Sequence, residues 1–305
     1  MREADLSEAR RILRLAFGTF IGAPDPENFR ADRDYVTTRF RANPHAALVA
    51  EAEGMVAGSN FATCWGSFAY FGPLTVHPER WNQGIAQALL DATMDLFATW
   101  NVKAAGLFTF AHSPKHVALY QKYDFWPGFL TAMMSKTPRD PRGDAGLKYS
   151  EVDSAGRSQA LDACRELTGR IFEGLDVTGE IQSVHEQGLG ETILMWGGDS
   201  LDGFAVCHCG EGTEAGARTC YIKFAAVRPG TGAERRLEQL LAACEALASE
   251  RSLERMEAGV NTGRLEAYRT LLRQGYRTDG QGVVMHRPHS SAYNRPDVYV
   301  VDDWR

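Results

Sequence analysis

The stretch VHPERWNQGIAQALL, residues 76–90, leads from an apolar run through a short polar turn into a helix. A helix that follows such a turn has free N–H groups and a partial positive charge at its start, so it can attract an anion. Gly84 and the small Ala86 would let a phosphate approach the backbone, and Gln83 could donate a further hydrogen bond. An ordinary strand-to-helix connection has the same features, and the spacing matches neither a Walker loop nor a G-x-G-x-x-G motif.

The residues on both sides of this turn predict alternating helices and strands. Ile85, Leu89, Ala92, Leu96 and Trp100 recur at helical spacing. Helices are predicted at residues 4–17, 30–42, 84–100 and 113–125, and strands at 46–54, 55–65, 68–76, 104–112 and 129–136.

The second half of the chain repeats this order after TPRDPRGDAG, residues 137–146, which is predicted to be a linker. Five pairs of like residues lie 151 positions apart: Val76 and Val227, Pro78 and Pro229, Leu89 and Leu240, Leu96 and Leu247, and Phe125 and Tyr276. This spacing indicates an internal duplication. We therefore predict two domains of ordinary size, at residues 1–138 and 148–305.

The composition excludes several classes of partner. The 305 residues include 33 basic and 39 acidic side chains, for a net charge of -6, with no block of like charge. This argues against nucleic acid or an anionic membrane surface as the main partner. The N-terminal helix mixes acids and arginines as no secretory signal would. Residues 54–78 lack charged side chains but are broken by glycines and polar residues, so they indicate strands and a cytoplasmic protein.

The six cysteines do not predict a metal site. Cys207 and Cys209 form the one close pair, and a single residue between them is not a zinc-binding spacing. We expect reduced cysteines on strands, with no bound metal.

The V-x-P of residues 76–78, the Q-G-I-A of residues 83–86 and ALYQKYDF at residues 118–125 together resemble the GNAT superfamily of acyl-CoA-dependent N-acyltransferases. The resemblance implies an α/β (α+β) fold in two tandem GNAT-like domains, each with a mixed, mostly antiparallel sheet flanked by helices. It further implies acetyl-CoA as the cofactor, with its pyrophosphate on the turn and Tyr120 as the general acid. The implied cofactor-binding residues are Leu74, Thr75, Val76, Trp81, Asn82, Gln83, Gly84, Ile85, Ala86, Ser113 and Tyr120.

The sequence departs from the family pattern at four positions. Trp81 and Asn82 stand where the family usually has Arg or Gln and then Gly, Ser113 replaces a frequent Asn, and Asp124 replaces a Gly. One expected side-chain donor to the pyrophosphate is therefore missing.

The 151-residue register places different residues at the corresponding positions of the second half. Gly84 maps to Arg235, which predicts an arginine that fills the position of the phosphate, and Tyr120 maps to Leu271. Tyr268 lies one turn away from Leu271 and is interpreted as a packing residue. We therefore expect the second domain to have lost its cofactor site.

The implied reaction moves an acetyl group to a primary amine on a small molecule or peptide. A strand N–H near residues 74–76 would stabilise the oxyanion. His112 is the candidate base, with His77 and Glu79 as weaker ones. A non-catalytic acyl-CoA binder or sensor remains the alternative. The sequence leaves the acceptor and the oligomeric state open, a homodimer included.

Two further features have competing interpretations. Trp65, Phe68, Tyr70 and Phe71 could line an acceptor pocket but are more typical of a core. The segment SSAYNRPDVYVVDDWR, residues 290–305, predicts a terminal strand or arm that docks on the other domain.

Overall fold

A computed structural model describes residues 1–139 and 146–305. Most of the predicted linker, residues 140–145, lies outside the described residues. The helices are α1 (Leu6–Ile21), α2 (Val36–Ala42), α3 (Ile85–Trp100), α4 (Pro114–Gln121), α5 (Ser154–Ile171), α6 (Thr178–Gln187), α7 (Ala233–Glu250) and α8 (Leu265–Arg273). The strands are β1 (Ala47–Ala52), β2 (Met55–Trp65), β3 (Phe68–Phe71), β4 (Thr75–Val76), β5 (Ala104–Thr109), β6 (Trp126–Lys136), β7 (Leu147–Lys148), β8 (Gly190–Gly197), β9 (Ser200–Gly210), β10 (Gly216–Val227), β11 (Arg255–Asn261), β12 (Arg277–Arg287) and β13 (Val300–Val301).

The expected mixed, mostly antiparallel architecture is confirmed, and one continuous sheet runs through both halves. The strand order is β1-β2-β3-β5-β12-β6-β11-β10-β9-β8-β7, with β4 on β2 and β13 on β10. The corresponding strands β6 and β12 are exchanged between the halves: β12 pairs with β5 of the first half, and β6 pairs with β11 of the second. The two strands also pair with each other. Each half thus supplies a strand that completes the sheet of the other.

The boundaries of the elements repeat the 151-residue register found in the sequence. The bounds of β6, residues 126–136, become those of β12, residues 277–287, and α4 and α8 begin 151 residues apart. Other pairs depart from the register: α7 begins three residues earlier than α3 requires, and β9 begins six residues earlier than β2 requires. The second half also contains α6, a helix that the sequence patterns did not reveal.

A cleft opens in the first half where two parallel strands separate. Residues 68–70 of β3 pair with residues 104–106 of β5. The chain then leaves β5, and Thr75 and Val76 of β4 pair with β2 instead. The sides of β4 and β5 that face each other beyond Tyr70 therefore share no ladder hydrogen bonds, which leaves room for a ligand.

The same separation in the second half is occupied by the C-terminal segment of the chain. Residues 219–222 of β10 pair with residues 255–258 of β11, and beyond this point β13 pairs with Ala225 and Ala226. The Val227 N–H donates to the carbonyl oxygen of Tyr299 at 3.3 Å. By the 151-residue register these three β10 residues correspond to Leu74, Thr75 and Val76, so the second cleft is closed by backbone pairing.

The C-terminal segment then continues into the first half, so the predicted arm contacts both halves. Trp304 is 4% exposed, and its ring lies 4.8 Å from that of Phe68 and 6.2 Å from that of Tyr70. The aromatic strand residues Trp65, Phe68, Tyr70 and Phe71 are all buried. This supports the core interpretation for the first three, whereas Phe71 also lines a cavity.

Candidate active site

The cleft of the first half is a cavity of about 800 Å³ that extends from Gly72 at one end to the turn at residues 80–87 at the other. Strand residues 71–76 form one wall and residues 107–110 form the opposite wall. The helix α1 and residues 29–35 cover it, and α4 contributes further side chains. The cavity therefore lies where β4 and β5 leave backbone groups free to meet a ligand.

The turn before α3 leaves open space over its backbone. Gly84 has φ 82° and is the N-cap residue of α3, which has no side-chain cap. A Cβ built at Gly84 would meet no atom within 4 Å. A positive φ suits glycine, and an uncapped helix start offers N–H groups to an anion. Both features fit a phosphate on this turn.

The residues that depart from the family pattern have structural roles in the turn. The Trp81 indole N–H donates to the carbonyl oxygen of Val76 at 2.8 Å, which fixes the turn against the end of β4. Asn82 adopts φ 67°, a conformation that asparagine tolerates better than most residues. The Gln83 side chain donates to the Glu79 carbonyl at 3.2 Å and does not line the cavity.

Three cations surround this end of the cavity, and the sequence motifs did not identify them. Arg80 belongs to the turn, while Lys115 and Lys122 come from α4 and the residue after it. The Lys115 ammonium lies 5.6 Å from the centre of the Trp81 ring. Arg80 is paired with Glu53, so Lys115 and Lys122 are the cations that can offset the missing donor to a pyrophosphate.

Tyr120 lies in the wall of the cavity and is 8% exposed. Its ring is 5.8 Å from that of Phe71. Burial raises the pKa of Tyr120 to about 12, while Thr109 acts in the opposite direction. The phenol is therefore protonated at neutral pH and can donate a hydrogen bond to an anion in the cavity.

Two histidines lie at the start of α4, and only His116 lines the cavity. Its ring is 4.9 Å from that of Phe20, and its buried Nδ1 has no hydrogen-bond partner among the described residues. Burial, helped by Lys115, lowers the pKa of His116 below its ordinary value of 6.5. A neutral imidazole with a free nitrogen can accept a proton. His112 instead lies exposed beside Phe20 and Phe110, outside the lining.

The other predicted site residues also fall into two groups, those that line the cavity and those that do not. Ser113 is buried as the N-cap of α4, where its Oγ accepts the His116 N–H at 3.4 Å. It does not line the cavity. The weaker base candidates His77 and Glu79 also lie outside the lining. The predicted residues that the cavity does bring together are Leu74, Thr75, Val76, Trp81, Asn82, Gly84, Ile85, Ala86 and Tyr120.

The opposite end of the cavity contains arginines from both halves of the chain. Arg30, Arg33 and Arg305 line it together with Tyr35 and Trp304. The buried guanidinium of Arg39 holds this end together, because it donates to the carbonyl oxygen of Gly72 and to that of Arg305. The C-terminal segment of the second half therefore completes the cavity of the first.

The corresponding turn of the second half differs from the register-based expectation. Gly232, with φ 83°, precedes α7 and is the structural equivalent of Gly84, whereas Arg235 lies exposed on the first turn of the helix. The prediction that Arg235 fills the phosphate position was wrong, because α7 starts one turn early. Arg236 covers this turn, since it donates to the carbonyl oxygens of Arg228 and Thr231.

Neither a metal site nor a membrane span was found in the described ranges. Within residues 1–139 and 146–305, no group of three or more His, Cys, Asp or Glu side chains is arranged to hold a metal ion. No helix of these ranges is long and apolar enough to cross a bilayer.

Comparisons with known proteins agree with this geometry. Residues 8–125 match the model of the Acetyltransferase (GNAT) family. A search of curated proteins found no significant match. Many solved structures share the fold. A putative acetyltransferase from Pyrococcus horikoshii is 14% identical with a TM-score of 0.69, over 99% of this chain and 92% of that one.

Two other structures extend the likeness over both halves. A GCN5-related N-acetyltransferase from Sphaerobacter thermophilus is 16% identical with a TM-score of 0.61, over 94% and 93% of the two chains. A tandem GNAT protein from the clavulanic acid biosynthesis pathway is 14% identical with a TM-score of 0.54, over 93% and 95%. The first half of the chain, residues 8–125, thus matches the Acetyltransferase (GNAT) family. The fold of both halves together is that of a tandem GNAT protein.

Proposed function

We propose that the chain is an acyl-CoA-dependent N-acyltransferase that moves an acetyl group from acetyl-CoA to a primary amine. The observation that carries this proposal is the cavity of the first half, which joins the open helix start at Gly84 to the phenol of Tyr120. A phosphate site and a protonated acid in one cleft are what this transfer needs.

The residues at the turn fit the proposed cofactor. Open space over Gly84 admits a pyrophosphate, and Lys115 and Lys122 supply positive charge around it. No Asp or Glu is among the described residues that line the cavity, so nothing there would repel the phosphates. When bound, acetyl-CoA supplies an activated acyl carbon that a free amine can attack.

The reaction assigns a task to each group of this chain. The amine nitrogen bonds to the acyl carbon, the carbon–sulfur bond breaks, and the ammonium loses two protons, one to the base and one that balances the proton taken up by the thiolate. The Val76 N–H is the candidate donor to the developing oxyanion, since its counterpart in Val227 points across the second cleft. Tyr120 donates to the thiolate, and His116 is a candidate base alongside the sequence-predicted His112.

We also propose that one chain binds one acetyl-CoA, in the domain formed chiefly by residues 1–138. In the domain formed by residues 148–305, β13 pairs along β10 and Arg236 covers the turn. Leu271 replaces the acid in the register and is fully buried. These features support a second domain whose cofactor site is closed.

Replacing Tyr120 with Phe tests the assignment of the acid. We expect amine-dependent release of CoA thiol to fall at least about 10-fold, because a positioned acid typically contributes 10²–10⁴-fold. Calorimetry should show unchanged binding of acetyl-CoA, since the ring still fills its place beside Phe71.

The alternative function, an acyl-CoA binder or sensor, predicts a different outcome. In that case the wild-type protein would bind acetyl-CoA but release no thiol with any member of a broad amine panel. If the Tyr120→Phe variant released thiol as fast as the wild type, the protein would still be a transferase, but Tyr120 would not be its general acid.

A further inference from the structure

The end of the cavity near Gly72 contains an arginine without an ionic partner. Arg30 is one of the residues that line the cavity, and it is exposed. No hydrogen bond or ion pair joins its guanidinium to another described residue. The guanidinium carbon lies 5.4 Å from the centre of the ring of the adjacent Phe29. An arginine that faces a cavity with all of its donors free is suited to bind an anion.

The carboxylates near Arg30 already have partners. Glu257 accepts from Arg33, with Nη2 to Oε1 at 2.8 Å, and from Arg305, with Nη1 to Oε2 at 2.7 Å. Asp303 accepts from Arg305 and from the Tyr221 hydroxyl. Arg33 and Arg305 thus hold these two carboxylates, and neither carboxylate pairs with Arg30.

The backbone holds Arg30 in place at some cost. Its φ is 49°, in the left-handed region that residues with a Cβ rarely adopt. This conformation costs about 1–3 kcal/mol and persists only where the surroundings impose it. The Arg33 N–H donates to the Arg30 carbonyl oxygen at 3.0 Å, which ties this strained residue to the paired arginine beside it.

The charged side chains among the described residues of the cavity lining are all cationic. The charged residues are Arg80, Lys115 and Lys122 at the turn and Arg30, Arg33 and Arg305 at the other end, and no acid is among the described lining residues. Arg80 is paired with Glu53, and Arg33 and Arg305 are paired with carboxylates beside the cavity. Arg30 has no such pair at the Gly72 end, so an amine that carries an anionic group would gain a partner there.

We propose, on the basis of the proposed transfer, that the acceptor amine carries an anionic oxygen group, either a carboxylate or a phosphate-type group. Arg30 binds this group at the Gly72 end of the cavity. The amine then faces Tyr120 and residues 74–76, which line the same cavity. The second half thus contributes to acceptor choice, since Arg305 and Glu257 fix the arrangement around Arg30.

Matched amines test this acceptor class through thiol release with acetyl-CoA. Glycine, β-alanine and γ-aminobutyrate are each compared with the corresponding amide, and aminomethylphosphonate and spermidine complete the panel. We expect at least one anionic amine to exceed its amide about 10-fold or more in kcat/KM, as a charge-assisted hydrogen bond does. The carboxylate and phosphonate members distinguish the two kinds of anion.

Arg30→Gln should reduce that preference to about one by raising KM for the anionic amine, with binding of acetyl-CoA unchanged. Arg41→Gln is the matched control, an exposed arginine outside the cavity lining that should keep the preference. Transfer to amides or spermidine at equal or higher rates, or a preference that survives Arg30→Gln, would overturn the acceptor class and leave the transferase standing. Absence of transfer to every amine would overturn both proposals.

Discussion

Some residues of the site could be recognised from sequence motifs, and others could not. Gly84 and Tyr120 belong to contiguous motifs, so they could be found without a structure, and both line the cavity. Lys115 and His116 belong to no motif, because their relevance depends on the packing of α4 beside the turn. The position of His116 one helical turn before Tyr120 was the available signal, since residues four apart share a helix face.

The two candidate bases can be separated by the pH dependence of the rate. If His116 accepts the amine proton, kcat/KM rises with pH through a pKa below 6.5, because burial disfavours the charged imidazole. His116→Gln should remove that limb and lower the rate at pH 7 by about 10-fold or more. The measurement is a pH profile of thiol release from pH 5 to 8 for both histidine variants.

A limb that disappears in His112→Gln and persists in His116→Gln would favour the base predicted from the sequence. Profiles that keep the limb in both variants would assign the titration to another group.

At the scale of elements, the two copies of the strand–turn–helix unit differ in what lies beside the strand. In the first copy the edge of β4 faces a cavity, and in the second the edge of β10 is paired with β13. The motif alone cannot distinguish them, since both helices start after a glycine with a φ near 80°. The C-terminal segment decides the difference, although it lies about 70 residues from β10 in the chain.

This contrast predicts the number of cofactor sites. Gly84→Arg should abolish binding of acetyl-CoA, because a long side chain would enter the space over the turn and the positive φ disfavours any Cβ. Gly232→Arg is the matched control, with the same substitution at the same φ in the closed copy, and should leave binding unchanged.

Isothermal titration of the wild type should give one site per chain. Two sites, or loss of binding in Gly232→Arg alone, would contradict the assignment of the cofactor to the first half.

At the scale of the molecule, the halves form one body through exchanged strands and a buried charge network. Arg39 of α2 donates to both carboxylate oxygens of Glu214, at 2.8 and 2.9 Å. The Lys223 ammonium lies 2.9 Å from Glu214 and 3.1 Å from Glu180. These side chains are buried, and the network joins α2 of the first half to β10 of the second.

Removing the central carboxylate should destabilise the whole molecule. Glu214→Gln leaves Arg39 and Lys223 short of a buried partner, which costs about 3–5 kcal/mol of unfolding free energy. Glu254→Gln is the matched control, because its ion pair with Arg218 is exposed and such pairs are worth about 1 kcal/mol or less. Urea unfolding followed by circular dichroism measures both.

The same experiment has a defined pH dependence. The network holds the pKa of Glu214 well below 4.5, so its stabilisation is complete above pH 4.5 and is lost as the pH falls through the folded-state value. The difference between the wild type and Glu214→Gln should therefore shrink in acid. Equal unfolding free energies for the wild type and Glu214→Gln at pH 7 would mean that the network does not stabilise the protein.

The sequence by itself determined most of the elements, though not α6, together with the duplication and the motif residues. Hydrophobic periodicity and the 151-residue repeat are local or self-comparing signals, so they predicted β2 at residues 55–65 and the correspondence of Val76 with Val227. Only the tertiary structure decided which strands pair across the halves, which cleft stays open and which arginine covers the second turn. These depend on contacts between residues far apart in the chain, such as β13 with β10 and Arg305 with Glu257, and no spacing in the sequence encodes them.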